Sequence, residues 1–171
     1  MVDFEYTPKV DLEFMNREHR KAFDDANALK DLLDNALKKH LDNDVKEQRK
    51  SVLESELEIG IESQVTEPEN AEIEQLLQVL LLDTVTHFEL EEQCMEEYRF
   101  PARVEHNQEH MRVLAWMTEQ HSLWTAGCSV ETISKLSDYA GDKFPNWLLS
   151  HIVTMDTVMA SYIHRHGGTS L

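Results

Sequence analysis

Glycine and proline are scarce in this 171-residue chain, with five and four respectively. Long stretches carry neither, which disfavours a turn-rich β fold and leaves helices as the expectation. Cysteine is also rare: Cys94 and Cys128 cannot build a disulfide framework. No apolar run approaches the roughly 18 residues of a membrane-spanning helix. The opening MVDFEYTPKV has no apolar signal-peptide segment, so a soluble cytoplasmic protein is the default expectation. The greatest shortage is of positive charge. Sixteen Lys and Arg face 33 Asp and Glu, for a formal charge of −17, and no Lys or Arg occurs between Lys50 and Arg99, where 14 acids lie. Such a balance repels phosphate backbones and anionic lipid surfaces, so neither nucleic acid nor a membrane is an expected partner. The acidic run itself reads as a solvated face.

Apolar residues make up 41% of the chain, enough for one domain over 1–171 with one sizeable core. Residues 1–10 read as an extended arm. From about Asp11 to Lys39, Leu12, Met15, Phe23, Ala26, Leu33 and Leu37 recur at helical spacing, with His19 on the same stripe. Asp42, Asn43 and Asp44 are cap-like and suggest one helix ending and a short one beginning, its weak stripe Val45, Val52, Leu53 and Leu57 broken at Gly60. Thr66-Glu67-Pro68-Glu69 has the pattern of a capping box with proline in the first turn. It opens a helix to about Tyr98, with Ile73, Leu76, Leu77, Leu80, Thr84, His87 and Glu91 on one face. Pro101 opens a third helix that fades near Trp124–Gly127. Residues 128–142 read as a linker with one helical turn. Pro145 starts a last helix, with Trp147, His151, Met155, Val158, Met159 and Tyr162 inward, and Gly167-Gly168 stops it.

Three motifs on three of these helices carry chemistry. Residues four apart share a helix face, so His87 and Glu91 project together, as do His106 and His110. His151 and Asp156 are five apart, about 140° round an ideal helix. Either Asp156 reaches sideways or the helix carries a π-type bulge there. With His19 the set has seven members. Imidazole suits iron and carboxylates bridge ions. Seven ligands exceed what one ion in a small bundle takes, but fit two ions roughly 3.5–4 Å apart. Without metal, so many polar groups on inward faces would be costly.

The motifs N-R-E-H at His19, H-F-E-L-E-E at His87, P-x4-H-x3-H at His106 and W-x3-H-I-x3-D at His151 resemble those of the hemerythrin family, in particular bacterial hemerythrin domains. The resemblance covers roughly 11–39 and 70–164. It implies an all-α, antiparallel up-down four-helix bundle, with residues 41–66 as an insertion holding an extra short helix between the first two core helices. It implies a non-haem di-iron centre with an oxo or hydroxo bridge and O2 as ligand. His106, His110 and His151 would hold one iron, His19 and His87 the other, and Glu91 and Asp156 both. Phe88 and Leu148 look like the apolar residues of the oxygen pocket, with Trp147 packed beside the site. The function it implies is reversible oxygen binding rather than catalysis, either as a carrier or store or as an oxygen- or redox-sensing module. A sensing module would have a signalling partner or a fused output domain. It would then be a piece of a larger protein such as a diguanylate cyclase or chemotaxis receptor.

Rival readings are weaker. HNQEH also fits H-x-x-E-H, an inverted zinc-protease motif with Glu109 as general base, but this leaves five ligands unexplained. A ferritin-like oxidase would show Glu-x-x-His on two helices, which the iron-site helices lack. His40, His121, His164 and His166 fit no motif and read as surface residues. Cys94 and Met95, Met111, Met117, Met155 and Met159 read as core.

Overall fold

The computed structural model describes residues 9–53 and 67–168. These form α1 (Glu13–Leu53), α2 (Glu67–Glu97), α3 (Arg103–Ala126) and a composite rod. The rod runs through α4 (Val130–Asp138), a π turn (Tyr139–Lys143), α5 (Phe144–His151), a second π turn (Ile152–Asp156) and α6 (Thr157–Arg165). There is no strand among the described residues. In this all-α bundle α1 packs against α2 and the rod, and α3 closes the ring between those two. The N-terminal arm before residue 9, the Gly60 break and the Thr66 cap lie outside the described residues, as does the second half of the 41–66 insertion, residues 54–66.

Each helix buries the stripe that its spacing dictates. On α1 this is Met15, His19, Phe23, Ala26, Leu29, Leu33 and Ala36. On α2 it is Ile73, Leu77, Leu80, Thr84, His87, Glu91 and Met95, and on α3 His106, His110, Val113, Met117 and Trp124. The α2–α3 reversal is a Schellman-type end. Phe100 donates its N–H to Met95 O at 2.8 Å, and Arg99 takes the left-handed conformation, φ 52°, where glycine is usual. At the far end Gly167, φ 92°, ends α6, and Gly168 N–H returns to Ile163 O at 3.0 Å.

Several sequence expectations are corrected. The cap-like Asp42-Asn43-Asp44 does not interrupt α1, which continues to Leu53. A short acidic stretch lowers helix propensity by only a few tenths of a kcal/mol per residue, too little to end a long helix by itself. Residues 128–142 are not a linker. Ser129 Oγ caps α4 by accepting from Thr132 N–H at 3.1 Å, and the last rod begins fifteen residues before Pro145. Pro145 is tolerated inside the rod because of the first π turn. Phe144 donates to Tyr139 O, five residues back, and so eases the crowding of the proline ring against the carbonyl of Gly141. His40 is buried rather than superficial, whereas Met111 and Val158 are 63% and 53% exposed rather than core. Val158 turns outward because the second π turn shifts the face by one residue, bringing Met159 and Ala160 in.

Candidate metal centre

Four helices deliver side chains to one point in the bundle. His19 comes from α1, His87 and Glu91 from α2, His106 and His110 from α3, and His151 and Asp156 from the rod. All seven are buried. The second π turn resolves the five-residue spacing. Thr157 N–H bonds to Ile152 O, one turn then closes every five residues, and His151 Nε2 meets Asp156 Oδ1 at 3.0 Å.

Each carboxylate divides its two oxygens. Glu91 Oε1 lies 3.0 Å from His87 Nε2, while Oε2 lies 3.1 Å from His110 Nε2 and 3.4 Å from His106 Nε2. Asp156 Oδ2 lies 3.1 Å from His19 Nε2, while Oδ1 lies 3.2 Å from His106 Nε2 and 3.0 Å from His151 Nε2. Within one half, the His151 Nε2 atom stands 3.1 Å from that of His106 and 3.0 Å from that of His110. In the other, His19 and His87 Nε2 are 3.2 Å apart. Ligand atoms about 2.1 Å from one ion and at right angles to each other stand about 3.0 Å apart. The spacings would suit two coordination shells that share the two carboxylates.

The polar accounting agrees. Glu91 and Asp156 are 0% exposed, and none of their four oxygens has a hydrogen bond of acceptable geometry. Buried carboxylates without such partners are rare in native proteins. Five imidazole nitrogens and four carboxylate oxygens, without thiolate, form a donor set that suits iron. The outward Nδ1 atoms of His87, His106, His110 and His151 also lack protein partners among the described residues. Aromatic packing orients the rings instead. Phe88 stacks on His110 with centroids 3.7 Å apart and planes 1° off parallel, Trp147 stacks on His151 at 4.9 Å, and Phe100 meets His106 edge-on.

The buried imidazoles and carboxylates shift one another's protonation. Burial opposes charge on His106, yet its close contacts with the Asp156 and Glu91 carboxylates raise its pKa to about 9. Burial also opposes charge on His87, but the Glu91 carboxylate raises its pKa. His110 goes the other way, lowered by burial and by its imidazole neighbours. Both carboxylates are held well below the usual range: against the cost of burial, the charge of His87 and close contacts from His106 and His110 act on Glu91. Those from His106, His151 and His19 act on Asp156.

A cavity adjoins the two-histidine half. About 20 Å³ of it is open to the centre of a water-sized molecule, room for one small guest. His19, His87, Phe88, Trp147 and Leu148 line it, as do Ala22, Thr84 and Phe144, which the motifs had not singled out. Thr84 is buried and gives its hydroxyl hydrogen to Leu80 O at 2.7 Å.

Glu109, between His106 and His110, is engaged elsewhere. It accepts from Trp147 Nε1 at 2.7 Å and from Arg112 Nη2 and Nε at 2.6 and 2.9 Å. The Arg112 hydrogen bonds lead in lowering its pKa to about 2, far from the near-neutral value that suits a general base. Its partner Trp147 is the ring stacked on His151, so Glu109 helps to fix that imidazole. Sequence spacing alone did not reveal this contact, because Glu109 and Trp147 are 38 residues apart.

Comparison with known proteins agrees with the geometry. The family model described as the hemerythrin HHE cation binding domain matches residues 10–163. A bacteriohemerythrin of Aquifex aeolicus (strain VF5) is 29% identical over 90 residues, covering 53% of this chain and 66% of that relative. The matched part thus spans just under two thirds of the relative's length. No solved structure matches the chain.

Proposed function

The chain belongs to the hemerythrin family, and from that premise we propose that it holds two iron ions and binds O2 reversibly beside one of them. In this reading His106, His110 and His151 serve one ion, His19 and His87 serve the other, and Glu91 and Asp156 bridge. The observation that carries it is the division of each carboxylate, one oxygen toward three imidazoles and the other toward the remaining two. A chelate to one ion would turn both oxygens toward the same imidazoles, whereas here they face different ones.

Bound iron supplies the electrons and the vacant coordination position that reversible oxygen binding needs. The chain's own residues do the rest. Three imidazoles and two carboxylate oxygens crowd one half, while two of each leave room in the other. The cavity adjoins the less crowded half. Phe88, Phe144 and Leu148 are buried and give it apolar walls, which keep water from the vacant position. Phe88, Trp147 and Phe100 hold the imidazoles in place from outside. The resulting binding and release serve oxygen carriage, storage or sensing.

The test is metal analysis with optical spectra in air and after reduction. Two irons per chain, with ferric bands that bleach on reduction, are expected. One zinc and a featureless visible spectrum would overturn the reading.

A further inference from the structure

Trp147 stands between two spaces. An open surface groove is lined by Arg112, Ala115, Trp116, Glu119 and Trp147, and of these Trp147 alone also lines the inner cavity. Rings pack around the indole. It stacks on His151 at 4.9 Å, meets Phe88 edge-on at 6.2 Å and has Phe144 at 6.0 Å. Its one polar atom, Nε1, donates to Glu109 Oε1 at 2.7 Å and so ties α5 to α3. Glu109 is gripped in turn at both oxygens by Arg112, at 2.6 and 2.9 Å. The indole turns about only two side-chain torsions, so anchoring one atom at its far edge fixes both. A charged acceptor makes that anchor roughly twice as strong as a neutral one.

We propose that Glu109 is a positioning residue that holds the Trp147 indole as a closed partition between the groove and the cavity, and so limits how fast water and small solutes reach the vacant position. The inference rests on the reading of the cavity as the oxygen pocket. Both Glu109 oxygens are occupied by Trp147 and Arg112, so its influence on the centre runs through the ring. With the anchor cut, the ring would be held by stacking alone, which fixes its edge less sharply than a hydrogen bond does.

The test is the association of azide with the oxidised, iron-loaded protein, followed by stopped flow near 1 M salt, where charge effects are screened. Glu109→Ala should quicken it about tenfold, the equilibrium worth of one hydrogen bond to a charged group at a partly exposed edge. Glu109→Gln loses the charge but keeps an oxygen acceptor, and should stay within about threefold of the parent. Trp147→Phe should quicken association by itself, and Glu109→Ala should add nothing to it. Autoxidation of the oxygenated protein should follow the same order. Ultraviolet resonance Raman spectra of the same proteins should show one indole N–H losing its hydrogen bond in Glu109→Ala and keeping it in Glu109→Gln. An unchanged indole band in Glu109→Ala would overturn the proposal. So would an equal quickening by Glu109→Ala with and without Trp147, because the effect would then bypass the ring. Neither the azide rates nor the indole band requires oxygen binding. A chain that loads iron but binds no oxygen therefore overturns the function proposed above and leaves the partition to be judged on those two readings.

Discussion

The two halves of the ligand cage are built differently. The three-imidazole half draws on α3 and the rod, and an aromatic ring backs each of its histidines: Phe100 for His106, Phe88 for His110 and Trp147 for His151. The two-imidazole half draws on α1 and α2, and an aromatic-walled cavity stands where the other half has its third imidazole. Two ions held as proposed would share the same two carboxylates and still be treated unequally. The inequality comes from imidazole count and packing.

Removing a shared group should erase the difference. With Glu91→Ala neither half keeps its bridge, and elemental analysis after dialysis should find iron falling from two per chain toward none. Retention of one full equivalent would mean that Glu91 serves a single ion. Removing an unshared ligand should instead expose the difference. With His87→Ala iron should fall to about one per chain and oxygen binding should disappear, because one imidazole remains in that half. His110→Ala should retain more metal, since four ligand atoms still face the other ion. If the two variants lose the same iron, the halves are equivalent.

Acidity tests the cage without its ions. His106 goes from an ordinary value near 6.5 to about 9 in the folded metal-free chain. A raised pKa contributes stability that is fully present below about pH 6.5 and lost as pH rises through about 9. Melting temperatures of the metal-free protein should therefore fall across that window. The iron-loaded protein should lack this slope, because bound imidazoles carry no proton at the ligating atom. Parallel curves for the two forms would contradict the shared role of proton and metal. The smallest effect lies away from both halves. Arg99→Gly relieves a left-handed residue and should stabilise the fold by about 1 kcal/mol, roughly 2–4 °C in a chain of this size. Iron content should not change, and a change would tie the α2–α3 turn to the cage.

The helices and the seven clustered residues were readable in sequence because a helical face repeats every three to four residues and ligand pairs obey the same rule. His87 with Glu91 and His106 with His110 needed nothing more. His151 with Asp156 broke the rule, and that breach pointed to a π turn as one of two explanations, the one the structure adopts. Where the sequence misled, the other π turn, Tyr139–Lys143, was involved or a weak local signal was overruled. Pro145 looked like a helix start because a proline in mid-helix normally breaks the ladder, and the Tyr139–Lys143 turn removes that conflict. Ser129 was the better signal for the start of the rod, followed at helical spacing by Ile133 and Leu136, both fully buried. The contacts of Glu109 with Trp147 and of Lys21 with Asp83 were not readable. Each depends on a partner brought near by packing, and no local periodicity encodes it.

The most direct test is anomalous X-ray diffraction at the iron edge on the iron-loaded protein. Two peaks roughly 3.5–4 Å apart are expected, with Glu91 and Asp156 each touching both, three imidazoles on one peak and two on the other. A single peak, or two peaks without a shared carboxylate, would contradict the account.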